Sequence, residues 1–118
     1  MDLTAAKTFI LEKLSSELDP KLSYHGIHHT LDVLKAAEEI CLLEHISPEE
    51  SRLVQTAAAF HDAGFLCDRL NHERYSCDLA QRHLPRFSYN QLQIAQICSM
   101  ILATKIPQYP DNQLEKIL

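Results

Sequence analysis

The sequence predicts an all-helical protein, and three of its features lead to this prediction. Apolar residues recur at helical spacing along nearly all of the 118 residues. No segment shows the sustained alternation of apolar and polar residues that is typical of a strand. Capping residues and prolines fall between the apolar stripes, where helix ends are expected. We therefore predict a single domain over residues 1–118 that folds as a compact bundle of five to six helices.

The first two helices are predicted from two apolar stripes. The first helix is expected at residues 4–18, because Pro20 disfavours helical geometry in the residue before it. Its stripe consists of Leu3, Ala6, Ile10, Leu14 and Leu18. The second helix is expected to end before Ser47. Its stripe consists of His29, Val33, Ala36 and Ile40. Each helix should bury its own apolar stripe against the other helices.

A capping motif predicts where the third helix begins. Ser47 can cap the helix, Pro48 suits the first helical position, and Glu50 can close a capping box. The helix is expected to end near Gly64. Its apolar stripe should therefore include the residues just before that glycine.

Two further helices follow at similar signals. Asn71 can open a fourth helix over residues 71–84, before Pro85. The segment 88–91, SYNQ, is read as a capping box that opens a fifth helix, which should end at residues 106–107. A helical stripe then restarts with Leu114, Ile117 and Leu118. These apolar side chains need cover, so the terminal turn is expected either to fray or to dock onto a second copy of the chain, and docking is the favoured alternative.

Composition excludes several classes of function. A formal charge of -5 without a cluster of Lys or Arg argues against nucleic acid as the main partner. The apolar runs are far shorter than the roughly 20 residues that span a bilayer, and no signal peptide is recognised, so no membrane partner is expected. The cysteines lack metal-binding spacing and are expected to be reduced thiols of the core; they are Cys41, Cys67, Cys77 and Cys98. We expect a cytoplasmic protein.

Histidines carry the functional signal. His29 lies on the stripe of the second helix, and His61 ends a stripe through Leu53 and Ala57 on the third, so both are expected to point inward and meet between the helices. Asp62 follows His61 in the last helical turn, where carbonyl ends favour a cation. Imidazole and carboxylate ligands suit Zn, Mn, Fe, Ni or Mg without selecting one. A hydrogen-bonded core histidine is the alternative interpretation of either residue alone.

Two segments resemble the HD domain superfamily of metal-dependent phosphohydrolases. The segment 24–33, YHGIHHTLDV, is similar to the helix that carries the first metal ligand, with His29 at the ligand position. The segment 57–65, AAAFHDAGF, is an apolar helix that ends in the His-Asp-x-Gly pattern typical of the family. The resemblance extends through later segments and covers residues 24–118. It agrees with an all-α fold.

The resemblance implies a metal-dependent hydrolysis of phosphate esters. It implies that His29, His61 and Asp62 hold a divalent ion that activates water, with a nucleotide or small phosphorylated metabolite as substrate. His25 matches a position that protonates the leaving oxygen, and His72 one that holds a second ion or the substrate phosphate. Lys105 can pair with phosphate, or can be a simple helix-end cation.

The sequence departs from the family pattern near its C-terminus. Members with this layout continue into a helix that supplies a last Asp ligand, whereas Asp111 is the candidate that stands nearest to this position here. This departure leaves a second hypothesis, a degenerate HD module that binds metal, nucleotide or a partner without turnover. A purely structural helical bundle is a third, in which the His-Asp pair is a coincidence.

Overall fold

Apolar stripes at helical spacing fold this chain into helices that cover one another. A computed structural model describes residues 1–17, 20–66 and 71–104, with side chains of the second range from residue 26 onward. The described helices, including two of 3₁₀ type labelled η, are α1 (Leu3–Glu17), α2 (Pro20–Leu43), α3 (Pro48–Phe60), η1 (Ala63–Leu66), α4 (His72–His83), η2 (Leu84–Phe87) and α5 (Gln91–Ala103). No strand occurs within these ranges. The predicted compact all-α bundle is confirmed.

Helix α3 lies at the centre of the bundle. It packs against α1, α2 and α5, whereas α4 packs against η1 and α5. Its buried residues are Leu53, Val54, Thr56, Ala57, Ala58, Ala59 and Phe60. The three alanines are buried, and small side chains of this kind reduce the distance between helix axes. The end of α3 and the following His61 are therefore buried in the bundle, and Asp62 is partly exposed.

The stripe of α1 is confirmed at its three central positions, while Leu3 is partly buried and Leu18 lies outside the described residues. The stripe of α2 is displaced by one residue. Ala6, Ile10 and Leu14 are buried on α1. On α2 the buried positions are Thr30, Leu34, Ala37 and Cys41. The predicted stripe, His29, Val33, Ala36 and Ile40, is wrong: none of its members is fully buried. A helical face is about 100° wide, so two neighbouring stripes can both look apolar in sequence, and packing against α1 and α3 decides between them.

The helix starts confirm the positions of two predicted caps and correct the third. The Ser47 hydroxyl accepts a hydrogen bond of 3.1 Å from the Glu50 backbone N–H, as predicted for α3. The Glu50 carboxylate accepts from the Ser47 hydroxyl at 3.1 Å, and not from the Ser47 backbone N–H that the predicted capping box requires. Asn71 occupies the N-cap position of α4, as predicted, but its side chain makes no cap hydrogen bond. At α5 the capping box is formed by Asn90 and Gln93, in which each side chain accepts from the other residue's backbone N–H. Ser88, the predicted cap, has φ of 67°, whereas a cap residue needs the extended backbone that Asn90 adopts.

The helix ends differ from the prediction in their exact positions. α3 ends at Phe60, so His61 and Asp62 follow the helix and do not form its last turn. α5 is described to Ala103, with Thr104 as its cap. Residues 105–118 lie outside the described residues, and with them the predicted sixth stripe, Asp111 and the C-terminal contact between copies.

Two other expectations concern the cysteines and the membrane. Cys41, Cys77 and Cys98 are buried free thiols, as expected of core residues, and Cys67 lies outside the described residues. None of the helices in the described part of the chain is both long and apolar enough to cross a membrane.

Candidate metal centre

The His61 ring is oriented by the helix that precedes it. His61 caps the C-terminus of α3, and its Nδ1 lies 2.6 Å from the backbone carbonyl oxygen of Ala58. Because a carbonyl only accepts, Nδ1 carries the hydrogen and donates it. In the neutral ring this leaves a lone pair on Nε2, the tautomer that a metal ligand needs. The predicted inward orientation is confirmed, since the His61 side chain is 9% exposed.

Asp62 brings three histidines together. Its Oδ2 lies 2.9 Å from His61 Nε2 and 3.1 Å from His29 Nε2, while its Oδ1 lies 3.5 Å from His72 Nε2. The three rings come from α2, from the end of α3 and from the start of α4. One carboxylate thus joins three parts of the bundle that are distant in sequence.

The donor atoms fit a divalent ion. The ligand atoms of His29, His61 and Asp62 lie within 4.8 Å of one another. Nitrogen and oxygen ligands bind such ions at about 2.0–2.2 Å, which places neighbouring ligand atoms roughly 3 Å apart. The contacts of Asp62 Oδ2 at 2.9 and 3.1 Å have this spacing. The set of two imidazoles and a carboxylate suits the transition metals and Mg without selecting one.

His29 approaches the centre from its solvent-exposed side. The prediction that it points inward is wrong: its side chain is 60% exposed. The cause is the displaced stripe of α2, in which the neighbouring Thr30 is buried instead. The ring nevertheless reaches Asp62 and lies 5.7 Å from the His61 ring centroid. The centre therefore has a buried wall at His61 and an open edge at His29.

Electrostatics tie His61 and Asp62 together. Burial alone disfavours the charged imidazole, but the hydrogen bond and negative charge of Asp62, with the Ala58 carbonyl, outweigh it and raise the pKa of His61. Burial alone would also raise the pKa of Asp62, but the hydrogen bond to His61 and the nearby His29 and His72 rings lower it. Without a metal, the pair therefore favours imidazolium and carboxylate.

Gly64 and Ser76 hold the segment after Asp62 against α4. A Cβ at Gly64 would collide with the carbonyl of His72 and the backbone nitrogen of Ser76. The Ser76 hydroxyl accepts from the Gly64 N–H at 2.8 Å and donates to the His61 carbonyl at 2.7 Å. The glycine of the His-Asp-x-Gly pattern is thus required for close approach, since its backbone is not left-handed.

His72 extends the centre through two partners to which the sequence analysis assigned no role. Its Nε2 lies 3.4 Å from Oε1 of Glu73, a buried acid in the first turn of α4. Its ring stacks on Phe65, with centroids 4.0 Å apart and planes 11° apart. A Glu at a helix start is usually explained by the helix dipole, so sequence alone gave no reason to assign Glu73 to the site.

Two predicted site residues cannot be placed relative to Asp62. The side chain of His25 and all of Lys105 lie outside the described residues, so both roles stay predictions. His29, His61, Asp62 and His72 are brought together, as expected.

The fold and the site define an all-helical protein with a candidate histidine and carboxylate metal centre. Comparisons of the chain with protein-family models, with curated proteins and with solved structures gave no significant match.

Proposed function

We propose that this protein is a metal-dependent phosphohydrolase of the HD type, which hydrolyses a phosphate ester of a nucleotide or small phosphorylated metabolite. The observation that carries the proposal is the convergence of His29 Nε2, His61 Nε2 and Asp62 Oδ2, whose ligand atoms lie within 4.8 Å of one another. The HD resemblance of the segment around His61 and Asp62 supports the same function.

The bound ion would supply a Lewis acid for a phosphoryl oxygen and lower the pKa of a coordinated water. The protein's own residues define the surroundings. Ala58 fixes the His61 ring, and the exposed edge at His29 leaves the centre open to a substrate from solution. Because His61 adjoins the buried core, substrate must approach from the exposed side of the centre.

His72 is suited to bind the phosphate or to move a proton. Its Nε2 lies between the Asp62 and Glu73 carboxylates, at 3.5 and 3.4 Å. Carboxylates accept hydrogen bonds, so they favour a hydrogen on this nitrogen. When this N–H faces a bound substrate, it can donate a hydrogen bond to a phosphoryl oxygen or transfer its proton to the leaving oxygen. His25 and Lys105 are proposed for the leaving group and the phosphate.

A metal-binding module without turnover is the second candidate. It is favoured by the small donor set, since three side chains form the candidate ligand group within the described residues. Such a module would retain the ion but leave phosphate esters intact.

The deciding experiment combines metal content with turnover. Purified protein is stripped with a chelator, reloaded with Mn, Mg, Fe, Ni or Zn, and assayed on p-nitrophenyl phosphate and on nucleoside 5′-monophosphates. We expect metal-dependent phosphate release that is lost in His61→Ala. His45→Asn is the matched control, because His45 is exposed and has φ of 55°, a conformation that asparagine tolerates.

The outcomes separate the candidates. Metal retention with hydrolysis supports the phosphohydrolase, and retention without hydrolysis supports the binding module. Metal content that is unchanged in His61→Ala would exclude this centre for either function.

A further inference from the structure

Phe65 presents an aromatic surface beside the candidate metal centre. It lies in η1, three residues after Asp62, and its side chain is exposed. Its ring is nearly parallel to the His72 imidazole, at 11°, with the centroids 4.0 Å apart. His72 in turn places Nε2 3.5 Å from Asp62 Oδ1. The His72 ring thus connects the two residues, because it stacks on Phe65 and its Nε2 contacts the Asp62 carboxylate.

The free side of Phe65 faces solution. His72 covers one face of the phenyl ring, yet Phe65 remains 41% exposed, while the His72 side chain is 19% exposed. The exposure must then come from the opposite face and the ring edges. A single exposed apolar residue is common on proteins and by itself indicates nothing. The significance of Phe65 comes from its stack on a ring that contacts the Asp62 carboxylate.

The ring is also held in place by the backbone. Gly64 packs so closely on α4 that no side chain fits between them, and Ser76 binds both the Gly64 N–H and the His61 carbonyl. These contacts fix η1 relative to His72. A planar ligand that stacks on Phe65 would therefore meet a surface that is already ordered, which reduces the entropy lost on binding.

We propose that the outer face of Phe65 is a subsite for an aromatic ring of the substrate, which makes a nucleoside 5′-phosphate the substrate class. This inference rests on the proposed phosphohydrolase function. With the phosphate at the centre of His29, His61 and Asp62, the base stacks on Phe65 and the pentose spans the His72 ring. Stacking tolerates different bases, since every base has a π-face, so this subsite selects for a base without selecting which one.

The test compares two ligands that differ only by the base. Adenosine 5′-monophosphate and ribose 5-phosphate are titrated into metal-loaded protein, with proton NMR following binding and phosphorus NMR following any phosphate release in the same sample. We expect the nucleotide to bind about 10-fold more tightly than ribose 5-phosphate. Phe65→Leu should remove this preference, because it keeps apolar volume but loses the ring, and Phe65→Tyr should retain it.

Two controls show whether the effect is specific to Phe65 and whether it depends on correct folding of a variant. Tyr75→Leu removes another exposed aromatic ring, on α4, and should leave the preference unchanged. The comparison of the two ligands on the unaltered protein does not depend on any variant folding correctly. Equal affinity for the two ligands, or a preference that survives in Phe65→Leu, would overturn the subsite.

The two proposals fail in distinguishable ways. Nucleotide binding that depends on Phe65, without any phosphate release, supports the subsite and contradicts hydrolysis. Release of phosphate from both ligands at equal affinity supports hydrolysis and contradicts the subsite.

Discussion

The hydroxyl of Ser76 donates a hydrogen bond of 2.7 Å to the backbone carbonyl of His61 and accepts one of 2.8 Å from the Gly64 N–H. One buried side chain on α4 thus satisfies two backbone groups on either side of Asp62. Because both backbone groups belong to buried residues, water cannot readily replace these hydrogen bonds if Ser76 is removed. The position of the Asp62 carboxylate therefore depends on a residue of the next helix.

Replacing Ser76 with Ala should destabilise the protein and weaken metal binding together. The change leaves the Gly64 N–H and the His61 carbonyl without this partner, which costs about 1–3 kcal/mol for each buried group left unsatisfied. Denaturant unfolding measures the stability, and a metal titration measures the affinity. Ser16→Ala is the control, because its hydroxyl makes one exposed bond to the Lys13 carbonyl. Equal stability of the two variants would contradict this role of Ser76.

Gly64→Ala should be more damaging than most alanine substitutions. The added Cβ meets backbone atoms of His72 and Ser76, which cannot rotate away as a flexible side chain would. Overpacking of this kind typically costs 1–3 kcal/mol, and here α4 must also move away from η1. Thermal unfolding with and without metal tests this. A variant with unchanged melting temperature and metal affinity would show that α4 can shift without cost.

Alanine substitutions at His29 and His61 should have different effects on folding stability but the same effect on metal binding. His29 is exposed and His61 is buried with a 2.6 Å bond to the Ala58 carbonyl. His61→Ala therefore removes core packing as well as a ligand, whereas His29→Ala removes a ligand and a solvent-exposed contact with Asp62. We expect both variants to lose metal by elemental analysis, and only His61→Ala to unfold more readily when metal-free. Retained metal in His29→Ala would exclude it as a ligand.

The stability of the metal-free protein should depend on pH through His61 and Asp62. The pKa of His61 is raised above 6.5, so its stabilising contribution is complete below that value and is lost as the pH rises through the higher folded pKa. The pKa of Asp62 is lowered below 3.8, so its contribution is present above that value and is lost as the pH falls through the lower folded pKa. The pair should stabilise most between about pH 4 and 6.5.

Asp62→Asn isolates this contribution from the other titrating groups. Unfolding is followed in chelator at several pH values, and the difference in the free energy of unfolding between the two proteins is compared. We expect this difference to be largest within the window and to shrink at both higher and lower pH. A difference that is constant from pH 3 to 9 would mean that the ion pair does not form without metal.

Substitution of Thr30 and of Thr56 by valine should have opposite effects on the free energy of unfolding. Both are buried, but Thr30 Oγ1 has no hydrogen-bond partner among the described residues, while Thr56 Oγ1 bonds the Arg52 carbonyl at 2.7 Å and the Tyr89 hydroxyl at 2.6 Å. Thr30→Val should therefore be neutral or stabilising. Thr56→Val should cost about 1–3 kcal/mol, because Tyr89 loses a buried partner. Denaturant unfolding compares them, and a clear loss in Thr30→Val would indicate a hydrogen bond to Thr30.

Local sequence was sufficient for the elements whose signals do not depend on neighbours. The helical class follows from periodicity, the α1 stripe from Ala6, Ile10 and Leu14, and the start of α3 from Ser47 and Pro48. In each case the signal lies in the neighbouring residues of the chain. His61 was likewise placed correctly, because it continues the strongly apolar face of α3.

Tertiary structure decided each feature that depends on contact between two helices. On α2 two apolar faces lie side by side, and packing buried the one with Thr30, which left His29 at the solvent-exposed edge of the centre. The roles of Gly64 and Ser76, and the stack of Phe65 on His72, exist only because η1 meets α4. Sequence periodicity specifies which residues share a helix face, but the face that is buried depends on the free energy of contact with other helices.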